Sequence, residues 1–162
     1  MILCPLPLRQ YRITQNFGER PEYYAQYGHK GHNGIDFAPL KTMFGVIKSD
    51  LTIYAPHDGY AMTKSGTGYG RYITIQSLPR RADGTGHKSD LCHLAQFLIQ
   101  DGQFVAMGDP IGIMGNTGDS TATHLHWTYK KTVNGIVQDV NNGFGGAINI
   151  APFTLPWTKQ PI

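Results

Sequence analysis

A chain of 162 residues, 40% hydrophobic and 15% charged, is long enough to bury one core without disulfide or metal staples and too apolar to be disordered. Its 14 Lys and Arg against 11 Asp and Glu leave a formal charge of +3. That charge comes singly or in pairs such as Arg80-Arg81 and Lys130-Lys131, which excludes the basic stripe of a nucleic-acid binder, and no stretch approaches a membrane span.

The opening residues, MILCPLPLRQYRI, have no basic start and no long apolar run, and Pro5 and Pro7 interrupt them. They read as a lead-in over residues 1–12 with no secretory signal, so a chain acting outside a cell would need another route there. From Ile13 onward the apolar runs are short and often alternate, as in RYITIQ (71–76) and PIGIMG (110–115). Turn pairs divide them at Asp58-Gly59, Asp83-Gly84, Asp101-Gly102 and Asn134-Gly135. The pattern predicts a mostly β, antiparallel fold in a single domain over 1–162. The segment from Leu40 to Leu51 reads as an extended loop between two strands. Leu94 to Gln100 fits a helical turn or a strand equally well. The Pro-rich tail, 151–162, reads as irregular chain packed against the sheet. Cys4 and Cys92 belong to no paired motif and read as free buried thiols.

Chemistry concentrates in the seven histidines. GHNGIDFA supplies His32 and Asp36, DLCHL supplies His93, and THLHW supplies His124 and His126. Imidazole and carboxylate together are what Zn²⁺ takes in a catalytic site with an open position for water. His32 and Asp36 cannot meet on a helix, because Gly31, Gly34 and Ile35 are poor helix material. On a fully extended strand their Cα atoms would stand about 13 Å apart. The segment is therefore expected to be a strand bent at Gly34, with both side chains on one face. His124 and His126, at i and i+2, share a strand face, while Leu125 points into the core. The only glutamates, Glu19 and Glu22, fall in one turn-like stretch, so proton transfer at a metal would rest on the surplus histidines His93 and His124. An isolated HxH marks an exposed strand more often than a metal site; the combination of two ligand motifs and a third histidine favours a metal site. Trp127 reads as core. His29 reads as a loop residue, and His57 and His87 as solvated turn residues.

In chain order, ITQNFGER, GHNGIDFA, YAPHDGYA, GYGRYITIQ, CHL, GQFVAMGDPIGIMGNTG and THLHW resemble the lysostaphin-like zinc endopeptidases, peptidase family M23. The likeness runs from about Ile13 to Trp127 and continues more weakly in NNGFGGAINIAPF. It implies the antiparallel sheet of the duplicated-hybrid-motif type, with a groove formed by long loops. It implies one Zn²⁺ held by His32, Asp36 and His126, and catalytic histidines at His93 and His124, without saying which of the two is the base. It implies hydrolysis of peptide cross-links in bacterial peptidoglycan by a monomer, with neither nucleic acid nor membrane as partner. It also suggests a phage product, virion-associated or held in the host cytoplasm before lysis. An inactive binding or regulatory module and a phage structural protein are the rivals. Family members often carry a tyrosine ahead of the first ligand, for which Tyr23, Tyr24 and Tyr27 are all candidates. The chain departs from the family in Ala122-Thr123 before HLH, in the insert LKTMFGVIKSDLT, and in Cys92 beside His93. That thiol is expected to face the core.

Overall fold

The computed structural model describes residues 4–79 and 82–155, so the Arg80-Arg81 pair and residues 156–162 of the tail lie outside the described residues. The fold is mostly β and antiparallel. In chain order the strands are β1 (Cys4–Pro5), β2 (Arg12–Gln15), β3 (Ile35–Ala38), β4 (Thr52–Tyr54), β5 (Gly59–Gly66), β6 (Gly70–Gln76) and β7 (Thr85–Cys92). They continue as β8 (Leu94–Phe97), β9 (Gln103–Val105), β10 (Pro110–Met114), β11 (Leu125–Val133), β12 (Ile136–Val137) and β13 (Thr154–Leu155). A single helical turn, α1 (Pro21–Tyr24), runs into a 3-10 turn at Ala25–Tyr27.

The large sheet has the order β2-β3-β11-β7-β6-β5-β9, with β12 folded back on β11. The β11–β12 turn is Asn134-Gly135 with φ of 50° and 79°, the doubly left-handed hairpin turn that this dipeptide favours. A smaller sheet has the order β4-β10-β8. Side chains alternate along the strands, and one face of each sheet supplies the core: Ile73, Ile75, Leu91, Leu125 and Trp127 from the large one, Ile53, Ile111 and Leu94 from the small one. Trp127 is fully buried, and Cys4 and Cys92 are buried thiols outside any disulfide among the described residues.

Three segments differ from the sequence reading, and pairing decides a fourth that the reading left open. Leu94–Phe97 is a strand, because pairing with β10 decides a run that propensity alone leaves open. The insert after β3 is a closed hairpin rather than an extended loop. Lys41 bridges Ile47, and the Thr42 amide donates to the Val46 carbonyl across a left-handed Gly45. Its tip leaves Met43 and Phe44 exposed. The tail expected to be irregular contains a 3-10 turn, Ala151–Phe153, and β13, which pairs in parallel with β1. His57 and His87, expected to be solvated, are buried behind the sheet. The His57 Nε2 lies 2.9 Å from Ser89 Oγ, the same hydroxyl that accepts from Trp127 Nε1, and the His87 ring stacks on Tyr129. Turn residues in the sequence concealed an odd-numbered position on β7 that alternation turns inward.

Core packing and the exposed hairpin should respond very differently to truncation. Leu91→Ala is expected to cost about 2–5 kcal/mol in urea unfolding, while Met43→Ala should shift stability by less than about 0.5 kcal/mol.

Candidate metal centre

β3 and β11 build the centre by lying side by side. Their register pairs Leu125 with Phe37, His126 with Asp36 and Trp127 with Ile35, so the polar pair faces out of the sheet while its neighbours enter the core. His32, just before β3, completes the group. Its Nε2 lies 2.8 Å from His126 Nδ1 and 3.1 Å from Asp36 Oδ1, and His126 Nδ1 lies 2.9 Å from that same oxygen. Three donor atoms on three side chains thus converge within hydrogen-bond distance of one another.

Gly34 makes the approach possible, for a different reason from the bend expected of it. A Cβ there would lie 2.6 Å from His126 Cε1 and 2.6 Å from the Trp127 carbonyl oxygen. The missing side chain is the space that the His126 ring occupies. Gly31 serves the same end one turn earlier, since its Cβ would meet the Gly18 carbonyl oxygen at 2.4 Å. The Gly18 amide in turn donates to the His32 carbonyl, pinning the loop that carries the first histidine.

Tautomers follow from the acceptors. His32 Nδ1 faces the Asn16 carbonyl at 3.1 Å, an acceptor only, so this nitrogen carries the proton and Nε2 presents its lone pair to the cluster. That outer hydrogen bond is what a metal-binding histidine ordinarily makes. Burial would raise the Asp36 carboxyl, but the hydrogen bond from His126 Nδ1 and the nearness of the two imidazoles outweigh it and hold the group well below the usual carboxylate range. Burial pushes the His126 ring down against the attraction of Asp36, so it favours the neutral form. Its buried Nε2 finds no partner among the described residues, which shows a ring positioned by the cluster rather than by its own best hydrogen bonds. One carboxylate and two imidazoles, that of His32 with its Nε2 turned to the cluster, fit a divalent cation of the zinc type.

His93 and His124 stand beside this group, with ring centroids 4.6 Å apart and His93 6.2 Å from His126. Strict alternation would send His93 to the core, because Cys92 opposite His126 already faces the site. A left-handed backbone at His93, φ 67°, breaks the alternation between β7 and β8 and swings the ring into the cleft. Such a conformation costs about 1–3 kcal/mol and tends to occur where function requires it. His93 Nδ1 donates to the Thr117 carbonyl at 2.8 Å, and His124 Nδ1 donates to the Ala122 carbonyl at 2.8 Å. Both rings therefore present Nε2 as an acceptor when neutral. Burial, with repulsion from His124 and His126, lowers His93 to about 4 despite its bond to Thr117. His124 Nε2 lies 4.0 Å from Asp36 Oδ2.

The cleft wall is the Gly115–Thr123 loop, locked to the turn before β6. A Cβ on Gly118 would meet the Gly70 nitrogen at 2.2 Å, and Thr117 Oγ1 accepts from the Arg71 amide. Asn33, Tyr69 and Asp119 also line the cleft, and sequence reading did not single them out. The Gly68-Tyr69-Gly70 triplet was the available signal for Tyr69, a bulky ring between two residues that permit tight backbone. Tyr23, Tyr24 and Tyr27 all line the cleft from α1 and its 3-10 extension, as does His29. The Tyr24 ring lies 5.2 Å from His32, and burial followed by the Asp36 charge lifts its hydroxyl to about 12. Tyr27 donates to Asp119 Oδ2 across the cleft at 3.2 Å. Burial also lifts the Tyr69 hydroxyl, so phenols around the site stay protonated and act as donors. Cys92, expected to face the core, is fully buried but on the site face, where register sets it opposite His126.

Residues 30–141 match the family model described as peptidase family M23. Among curated proteins, the chain is 34% identical over 131 residues to an uncharacterized metalloprotease of Buchnera aphidicola, covering 78% of this chain and 31% of that protein. It is 33% identical over 120 residues to the peptidoglycan DD-endopeptidase ShyA of Vibrio cholerae, covering 73% of this chain and 24% of that one. The chain thus spans about a quarter to a third of the length of these relatives. Among solved structures, the catalytic domain of the antimicrobial peptidase lysostaphin from Staphylococcus simulans superposes with a TM-score of 0.61 at 26% identity, covering 88% of this chain and 91% of that one.

Because the His126 ring fills the space a side chain at position 34 would take, Gly34→Ala should weaken zinc binding to metal-free protein at least tenfold. Isothermal titration checks this, with thermal unfolding reporting the accompanying loss of stability.

Proposed function

The chain belongs to peptidase family M23, and from that premise we propose that it is a zinc-dependent endopeptidase cutting peptide cross-links of bacterial peptidoglycan. The observation that carries the reading is the convergence of His32 Nε2, Asp36 Oδ1 and His126 Nδ1 with two further imidazoles beside them in one cleft. Likeness to a peptidoglycan DD-endopeptidase over 73% of the chain supports the substrate class.

His32, Asp36 and His126 would hold the ion, which when bound polarises a water molecule and the scissile carbonyl. Each remaining role falls to a group of the chain. His93 and His124, their Nδ1 protons committed to the Thr117 and Ala122 carbonyls, offer Nε2 to accept a proton from the attacking water. The protonated ring then returns that proton to the leaving amine. Of the two, His93 is the more buried and is held neutral well below pH 7, so it is an acceptor throughout the neutral range. Neither ring, while neutral, can donate to an oxyanion through Nε2. That task suits a protonated phenol, and Tyr24 is the candidate whose hydroxyl responds to the Asp36 charge. Tyr27, tied to Asp119, closes the far side of the cleft.

The assignment separates ligand from proton carrier. His126→Ala should lose both stoichiometric zinc and turnover, whereas His124→Ala should keep zinc and lose turnover by about 10²–10⁴-fold. Metal analysis and mass spectrometry of fragments from purified peptidoglycans of several cross-bridge types check both. Full zinc in His126→Ala would refute the ligand set, and a zinc-loaded wild type that releases no fragments would refute the peptidase reading.

A further inference from the structure

The loop that walls the cleft also holds both imidazoles beside the metal centre. His124 closes its base, the His124 amide donating to the Gly115 carbonyl at 3.1 Å. Inside the loop the Asp119 amide donates to the Gly68 carbonyl at 2.8 Å, and the Ser120 amide to the Gly118 carbonyl at 3.0 Å. The backbone that carries the Ser120 side chain is thus tied on both sides. The Thr117 carbonyl reaches His93 from the same loop, and the Ser120 hydroxyl reaches His124.

Ser120 Oγ makes three polar contacts: 2.6 Å to Asn116 Oδ1, 3.0 Å to the Ala122 carbonyl oxygen and 3.1 Å to His124 Nδ1. A hydroxyl has one proton and two lone pairs to divide among them. The Ala122 carbonyl can only accept, and His124 Nδ1 lies 2.8 Å from it, so that nitrogen carries the proton. The Ser120 proton then goes to Asn116 Oδ1, its nearest acceptor, and an Oγ lone pair is left facing His124 Nδ1. Asn116 aligns the hydroxyl, and the hydroxyl shares the imidazole proton with the Ala122 carbonyl. The His124 side chain keeps 18% of its surface exposed, so packing alone does not fix its ring. One acceptor holds a ring loosely, because a hydrogen bond tolerates some bending. Two acceptors on one N–H narrow the rotation about Cβ–Cγ and with it the direction of Nε2.

We propose that Ser120, aligned by Asn116, is a positioning residue for His124, holding the ring so that Nε2 points at the metal centre, where it lies 4.0 Å from Asp36 Oδ2. Ser120 acts through His124, and its contact with Nδ1 lies on the side of the ring away from the reacting atoms. The one loop therefore orients both proton carriers, His93 through a backbone carbonyl and His124 through a carbonyl and a side chain. What Nε2 does once aimed rests on the peptidase reading, whereas the contact itself stands without it.

The test measures cleavage of a cross-linked peptidoglycan peptide by zinc-loaded wild type, S120A, S120T and N116A. S120A should lower kcat about tenfold and leave KM and calorimetric zinc affinity within about twofold, since only the aim of a proton carrier has changed. S120T keeps the hydroxyl and should recover most of the loss. N116A, at an exposed position, leaves the hydroxyl without its aligning acceptor and should fall between S120A and wild type. Thermal unfolding confirms that each variant is folded. Nitrogen-15 NMR of the imidazoles supplies a readout independent of turnover. The His124 Nδ1 proton should be visible and slow to exchange with water in wild type and S120T, and lost to exchange in S120A. A wild-type kcat in S120A, or a zinc affinity that falls along with kcat, overturns the positioning role. If wild type cuts no peptide, the peptidase reading fails, and the NMR comparison still decides the contact: an unchanged His124 Nδ1 proton in S120A overturns it.

Discussion

Three electron-rich atoms, His32 Nε2, Asp36 Oδ1 and His126 Nδ1, stand 2.8 to 3.1 Å from one another at the edge of a hydrophobic core. Much of the surrounding architecture serves that approach. The β3–β11 register brings Asp36 and His126 opposite each other, Gly34 vacates the volume of the His126 ring, and the Asn16 carbonyl sets the His32 tautomer. Beneath them Phe37, Leu125 and Trp127 fix both strands to the core. A donor cluster held this rigidly is prepared for a cation before the cation arrives, which limits the reorganisation that binding would require.

Around this cluster the backbone accepts strain to place its second layer. His93 takes a left-handed conformation so that consecutive residues, Cys92 and His93, both reach the site side of the sheet. Thr117 links three neighbours at once: its carbonyl accepts from His93, its hydroxyl donates to the Leu94 carbonyl, and the Arg71 amide donates to that hydroxyl. The cleft wall and the imidazole it orients are therefore one unit. Burial acts in a consistent direction throughout, keeping imidazoles neutral and phenols protonated, which divides proton acceptors from proton donors around the same cleft.

Much of this was legible in the sequence. Even spacing put His124 with His126 on the site side, odd spacing sent Leu125 and Trp127 inward, and the Asn134-Gly135 pair specified its hairpin turn; His32, expected on the same strand as Asp36, instead precedes β3 and reaches Asp36 from the loop before it. The parts that were not legible depend on contacts distant in the chain. His57 and His87 resemble turn residues locally, yet Ser89 and Tyr129 receive them in the interior. Cys92 reads as core until the register with His126 reveals its face. No residue pattern forecasts a left-handed histidine, whose amide donates to the Tyr69 carbonyl and whose Nδ1 donates to the Thr117 carbonyl, partners distant in the chain. The tyrosine ahead of the first ligand was equally hidden, since Tyr23, Tyr24 and Tyr27 share one short helical stretch and only their distances from His32 and Asp119 distinguish them.

The most direct test of the account is a crystal structure of the zinc-loaded protein with anomalous scattering recorded at the zinc edge. The account predicts one peak, enclosed by His32 Nε2, Asp36 Oδ1 and His126 Nδ1, with His93 and His124 outside the coordination sphere. A peak bound through His93 or His124, or located away from this trio, would contradict it.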